Sequence, residues 1–251
     1  MKALALDFDG VISDSAPEAF VVAVRAFREE FPDGGIDAEG EADEALFARF
    51  LDIMPLGNRA EDYGVALSAI GRGIELADQD AYDAFYATLD RARLKSFHKR
   101  FYKVRHAWTE ADPAGWFARI QPYSEMPAWI ARRSGDVQLA VATAKDKRSV
   151  TRLLERYGIA EHFGDGWVHD KETGVSKQAH IVAIAERAGC PASEVVFIDD
   201  KVNHLVDVAE TGARCVLAGW GYNSQREHDV AVRAGIEIAS LETLDGLLFP
   251  A

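Results

Sequence analysis

Two cysteines, three methionines and eight prolines in 251 residues leave this chain with few covalent staples and few chain breakers. Cys190 and Cys215 form neither a C-x-x-C nor a zinc spacing, which excludes a disulfide framework; reduced, buried thiols are expected. No apolar run approaches the roughly 20 residues that a membrane span requires. Behind Met1-Lys2 only Ala3 to Leu6 are apolar before Asp7, far short of a signal-peptide core. Positive charge is scarce as well: 28 Lys and Arg against 41 Asp and Glu give −13, a balance that repels nucleic acid and anionic membranes. A cytoplasmic protein is expected, a monomer or homodimer, with neither nucleic acid nor membrane as partner.

What is present is globular. Apolar residues make up 48% and charged residues 27%, and the length suits one or two domains with a sizeable core. Four short apolar runs read as buried parallel strands: Ala3–Leu6, Val137–Ala142, Val195–Ile198 and Cys215–Ala218. Between them lie helical patterns, such as Ser149 to Tyr157, and Ser176 to Ala188 with Gly189 at its exit and Pro191 beyond. Strands alternating with helices predict an α/β fold with a doubly wound, Rossmann-like parallel sheet. From Ser15 to Ile120 that rhythm stops, and helical patterns run without a convincing strand. The expected organisation is an α/β core of residues 1–14 and 121–251 with an inserted all-helical domain of residues 15–120, and Pro122 is a hinge candidate. Phe85, Leu89, Leu94, Phe97, Phe101, Val104 and Trp108 recur every three or four residues, which predicts one long helix with an apolar stripe.

The first strand runs into Asp7-Phe8-Asp9-Gly10, two carboxylates at the carboxyl end of a strand, where open α/β sheets bind their ligands. An Asp-x-Asp alone is as readily a solvated strand end, but Gly10 lets the chain turn sharply just after the pair. Thr143 ends the second strand, Lys177 opens a helix, and Asp199-Asp200 end the third strand. Singly these are a turn hydroxyl, an exposed lysine and an acidic pair favoured by a helix dipole. Gathered on one sheet edge, the carboxylates would hold more negative charge than a fold tolerates without a cation.

With these residues in place, the chain resembles the haloacid dehalogenase superfamily of phosphatases and phosphotransferases. The matching segments are Asp7-Phe8-Asp9-Gly10-Val11, Val141-Ala142-Thr143, Gly174-Val175-Ser176-Lys177 and Phe197-Ile198-Asp199-Asp200, with Gly219-Trp220-Gly221 and the Leu241–Leu248 helix beyond. The insertion looks like the helical cap of the phosphoglycolate-phosphatase-like branch. The resemblance implies that Asp7 is a nucleophile forming an aspartyl-phosphate, and that the Asp9 side chain is the acid and then the base. It implies a Mg²⁺ ion held by Asp7, the Asp9 carbonyl and Asp200, with Asp199 close by. Thr143 and Lys177 would hold phosphoryl oxygens, with Gly10 and Ala144 beside them in the substrate site. Halide-releasing members usually lack the second aspartate, so Asp9 favours phosphoryl transfer. One position departs: many members carry Asp or Asn four residues after the second acid of the pair, where this chain has His204, next to Asn203.

Other features have plainer alternatives. Arg91 to His106 holds seven Lys or Arg and no acid, which is either a solvated helix face or a surface attracting an anion. His98 and His106, eight apart, lack the spacing of paired metal ligands on one helix. Gly57-Asn58-Arg59 is either a plain connection or a substrate loop, in which Arg59 would present a planar fork to an anion. The expected function is a Mg²⁺-dependent phosphatase acting on a small phosphorylated metabolite. The alternatives are a phosphomutase using the same aspartyl-phosphate, or a catalytically idle binding or scaffold protein.

Overall fold

The computed structural model describes residues 1–250 except 38, 58, 171, 172 and 175. In chain order its elements are β1 (Ala3–Leu6), β2 (Ser13–Asp14), α1 (Ala16–Glu30), α2 (Glu44–Ile53), α3 (Ala60–Gly71), α4 (Gln79–Ala87), α5 (Arg91–Ala111) and α6 (Pro113–Ala118). They continue through β3 (Gln121–Pro122), α7 (Met126–Arg133), β4 (Gln138–Ala142), α8 (Lys147–Arg156), β5 (Val168–His169), α9 (Lys177–Ala188) and β6 (Val195–Asp199). The last are α10 (Val202–Ala209), β7 (Arg214–Ala218), α11 (Gln225–Arg233), β8 (Glu237–Ala239) and α12 (Leu241–Leu248). The chain divides into two compact units, residues 1–14 with 121–251, and residues 15–120.

The first unit is a six-stranded sheet ordered β5-β4-β1-β6-β7-β8, with every pairing parallel. β1 is central because all four of its residues are buried, and a strand apolar on both faces needs helices on both sides. Leu6 pairs with Val141 on one side and Ile198 on the other, so the residues that follow these three strands emerge at one edge. Strand order reverses around β1, which makes that edge the place where doubly wound sheets open a crevice. The four expected strands form, the first with the bounds expected and the other three with one end shifted by one residue, while β5 and β8 were not legible: Val168–His169 and Glu237–Ala239 are too short for any periodicity. β2 and β3 form a separate antiparallel ribbon in which Ser13 faces Pro122, the hinge candidate.

The helices of this unit start where side chains can satisfy free backbone donors. Asp146 caps α8 by accepting from Ser149 N, and Ser176 caps α9 by accepting from Ala179 N. Gly189 ends α9 with φ +63°, the left-handed conformation that only glycine adopts at little cost.

The second unit is helical, and the expected long helix is two. Asp90 accepts from Ala92 N and Arg93 N and starts α5 afresh, so the apolar stripe continues across a break that the periodicity could not reveal. The basic run also resolves. Arg93 donates to Glu30 O, Arg100 pairs with Glu29 and Glu30, and Arg105 holds the fully buried Glu18 through two bonds of 2.8 and 2.7 Å. Lys95, Lys99 and Lys103 are exposed, as is Arg91, whose guanidinium lies 4.9 Å over the Tyr86 ring. His98 pairs with Glu61 at 2.6 Å, an ordinary polar contact.

Candidate active site

Asp7 follows β1 and is buried, its backbone N–H donating to Ile198 O and its Oδ1 accepting from Phe8 N at 2.6 Å. Its Oδ2 lies 2.7 Å from Lys177 Nζ. Lys177 is the first residue of α9, and its ammonium also donates to Ala142 O at 2.7 Å and reaches Asp199 Oδ2 at 3.2 Å. Burial by itself would lower the lysine's pKa, but Asp199 and Asp7 raise it above its ordinary value, so it stays a cation. For Asp7 the balance differs: burial pushes the carboxyl up to about 6, against the pull of Lys177 and with the help of the Asp199 charge.

Asp199 ends β6, Asp200 follows it, and the two differ in chemistry. Burial would raise Asp199, yet Lys177 and His204 hold it well below the carboxylate range. Both of its oxygens are taken, Oδ1 by Lys201 N at 2.8 Å and Oδ2 by His204 Nδ1 at 3.0 Å together with Lys177. Asp200, also buried, accepts from Tyr222 N at 3.0 Å and forms no ion pair among the described residues. Burial first, and the Asp199 charge second, push it well above its ordinary value. The backbone wraps this carboxylate closely. A Cβ on Gly10, where φ is +79°, would collide with the Asp200 carboxylate, and one on Gly221 would strike Asp200 Cβ and the Gly10 carbonyl.

Thr143 follows β4, buried, with its Oγ1 accepting from Lys145 N at 3.1 Å, which leaves its O–H to donate to another acceptor. Ala144 is exposed in the loop after it. Lys145 was missed by the sequence reading. Its ammonium lies 2.9 Å from Asp9 Oδ1 and 3.2 Å from Oδ2, with a side chain only 5% exposed. A signal did exist, since a lysine two residues beyond the strand-end threonine stands beside the site, but nothing in the spacing says which way it turns.

The α/β unit thus brings together Asp7, Asp9, Gly10, Thr143, Lys177, Asp199 and Asp200. Arg59 belongs to the other unit, where its side chain is 75% exposed and lies 3.7 Å from Glu61. Asn58 of its turn and Val175 of the Gly174–Lys177 segment fall outside the described residues.

The donor set suits a hard divalent cation. Asp7 and Asp200 are buried carboxyls, both raised by burial and by neighbouring negative charge, and a divalent cation beside them would favour the ionised form of each. By distance alone, a metal-sized group among the described residues is Asp7, Asp199 and His204, whose donor atoms lie within 4.8 Å of one another. The bonding pattern favours Asp200 over Asp199, because a carboxylate with both oxygens engaged by N–H donors has less to offer an ion.

Fold and site together define an α/β enzyme in which buried carboxylates and lysines gather where parallel strands end. The chain belongs to the haloacid dehalogenase-like hydrolases, whose family model matches residues 1–206. It is 24% identical over 234 residues to a phosphoglycolate phosphatase of Pseudomonas syringae pv. tomato, covering 90% of this chain and 72% of that one. Over 108 residues it is 27% identical to human magnesium-dependent phosphatase 1, covering 42% of this chain and 59% of that protein. A haloacid dehalogenase-like family hydrolase from Streptococcus pneumoniae has the same fold, with a TM-score of 0.68 at 16% identity over 99% of this chain and 98% of that one.

Proposed function

We propose that the protein is a Mg²⁺-dependent phosphatase that hydrolyses a small phosphorylated metabolite through an aspartyl-phosphate on Asp7. The observation that carries this reading is the Asp7–Lys177–Asp199 chain: a buried carboxylate at a strand end, held beside an ammonium that is itself anchored from behind.

An anchored carboxylate is a nucleophile that needs no reorientation, and Lys177 sits where it can neutralise charge on a phosphoryl oxygen near Asp7. The Thr143 O–H, with its oxygen already fixed by Lys145 N, can donate to a second such oxygen. The Gly10 turn admits close approach of the phosphoryl group to the backbone, and Ala144 offers a small side chain at the rim. Asp9 lies two residues beyond the nucleophile, its side chain 34% exposed, and suits protonation of the leaving oxygen followed by activation of water. Asp7, the Asp9 carbonyl and Asp200 would hold Mg²⁺, which when bound supplies charge neutralisation between the attacking carboxylate and the phosphate. The relatives named as phosphatases support a phosphate ester as substrate.

Released phosphate from a panel of phosphorylated sugars, short acids and nucleotides, measured with Mg²⁺ and with chelator, tests the reading. Mg²⁺-dependent release from at least one class is expected. No release from any member, in a protein that still binds Mg²⁺, would favour an idle binding protein. A requirement for a bisphosphate activator would favour a mutase.

A further inference from the structure

Two side chains tie the first turn of α9 to the sheet. Lys177 opens the helix, and its ammonium donates to the carbonyl of Ala142, the last residue of β4, at 2.7 Å. His180 stands three residues on, a neighbour of Lys177 on the helix surface, and its Nε2 lies 3.0 Å from Asp170 O, just past the end of β5. A carbonyl can only accept, so Nε2 carries a proton. Burial first, and the Lys177 charge second, hold the imidazole below its ordinary pKa, which keeps it neutral at pH 7. The anchor is itself fixed, because Thr173 donates to the same carbonyl through its N at 3.0 Å and its Oγ1 at 2.8 Å. The ends of β4 and β5 are joined in turn, Thr143 N donating to His169 O at 2.8 Å.

His180 is buried, and the chain makes room for its ring. Gly174 has no positive φ that would call for glycine, yet a Cβ there would come within 2.8 Å of His180 Cδ2 and 3.1 Å of Nε2. The glycine of the Gly174–Lys177 segment therefore answers to an imidazole and not to a backbone conformation. Without the His180 donor, the first turn of α9 loses this tie to β5, and Lys177 keeps its direction only through its own contacts with Ala142, Asp7 and Asp199.

We propose that His180 is a positioning residue, whose Nε2–H fastens the first turn of α9 to the end of β5 and so aims Lys177, and through the β4–β5 pairing Thr143, at the phosphoryl oxygens. In the phosphatase reading above, on which this inference rests, these two residues hold those oxygens. The rival role is plain packing, in which any side chain of similar volume would serve.

Calorimetric titration of the full-length protein with Mg²⁺ alone, and with orthophosphate in the presence of Mg²⁺, separates the two. His180→Leu keeps the bulk and removes the donor. It is expected to weaken orthophosphate binding by about tenfold, the order of one hydrogen bond, while Mg²⁺ affinity stays within about threefold of the wild type. His180→Gln, whose amide Nε2 can reach the place of the imidazole Nε2, should bring orthophosphate affinity back to within about threefold. Circular dichroism confirms folding. If His180→Leu does not fold, His180→Met, unbranched and equally without a donor, is read in its place. Orthophosphate affinity in the donorless variant within about threefold of the wild type, a glutamine variant as weak as the donorless one, or a parallel loss of Mg²⁺ overturns the proposal. A wild type that binds orthophosphate and shows this pattern yet hydrolyses no phosphate ester overturns the phosphatase reading and leaves the positioning role standing; one that binds no orthophosphate overturns both.

Discussion

Lys177 Nζ stands 2.7 Å from Asp7 Oδ2, joining the end of the central strand to the first turn of α9. The contact fixes the carboxylate's direction, while burial keeps its pKa near 6 in the absence of further positive charge.

Asp7→Asn removes the proposed nucleophile with almost no change in volume. Turnover should fall by about a thousandfold or more, with circular dichroism showing the fold intact. Phosphate release within about tenfold of the wild type would show that another group attacks.

Asp9→Asn should act on the leaving group. Alkyl phosphates, whose departing oxygen needs a proton, should lose far more kcat than activated aryl phosphates. Equal losses on both would mean that Asp9 holds the backbone or Lys145 and transfers no proton.

Asp199 and Asp200 are expected to separate in a Mg²⁺ titration. Asp200→Ala should weaken binding more, because Asp200 is buried without an ion pair among the described residues while the oxygens of Asp199 are engaged by Lys201 N, His204 and Lys177. Asp199→Ala should instead weaken orthophosphate binding, by releasing Lys177. The reverse order in calorimetry would assign the ion to the Asp7–Asp199–His204 group.

How much of this was legible without coordinates depends on the range of the signal. Apolar runs fixed the position of Asp7, Thr143 and Asp199, because each strand is long enough to show its burial and its last residue is where the chain leaves the sheet. The break at Asp90 was not visible: an apolar stripe keeps its period across two helices that pack on the same neighbour, and only the cap bonds reveal the restart. Lys145 and His204 were likewise invisible as partners of Asp9 and Asp199, since these contacts depend on side-chain direction at loop positions and not on sequence spacing.

A stability prediction tests the packing around the sheet. Arg133 of α7 holds Asp245 of α12 at 2.6 and 2.8 Å, helped by Trp129 Nε1 at 3.0 Å, and these bonds lower the Asp245 carboxyl to about 2. A carboxyl lowered on folding contributes stability above its unfolded pKa, near 4, and loses that contribution as pH falls toward 2. Asp245→Asn should therefore be less stable than the wild type at pH 7, by a small, salt-sensitive margin suited to a partly exposed pair, and the gap should narrow in urea melts between pH 5 and 3. A gap that widens on acidification would contradict the ionic origin.

Covalent capture of the phosphorylated protein tests nucleophilic attack by Asp7 most directly. Acid quenching during turnover, followed by borohydride reduction and peptide mass spectrometry, should convert residue 7 from aspartate to homoserine, in amounts that vanish in Asp7→Asn. Steady phosphate release with no reducible acyl-phosphate at residue 7, or a label on another residue, would contradict the mechanism.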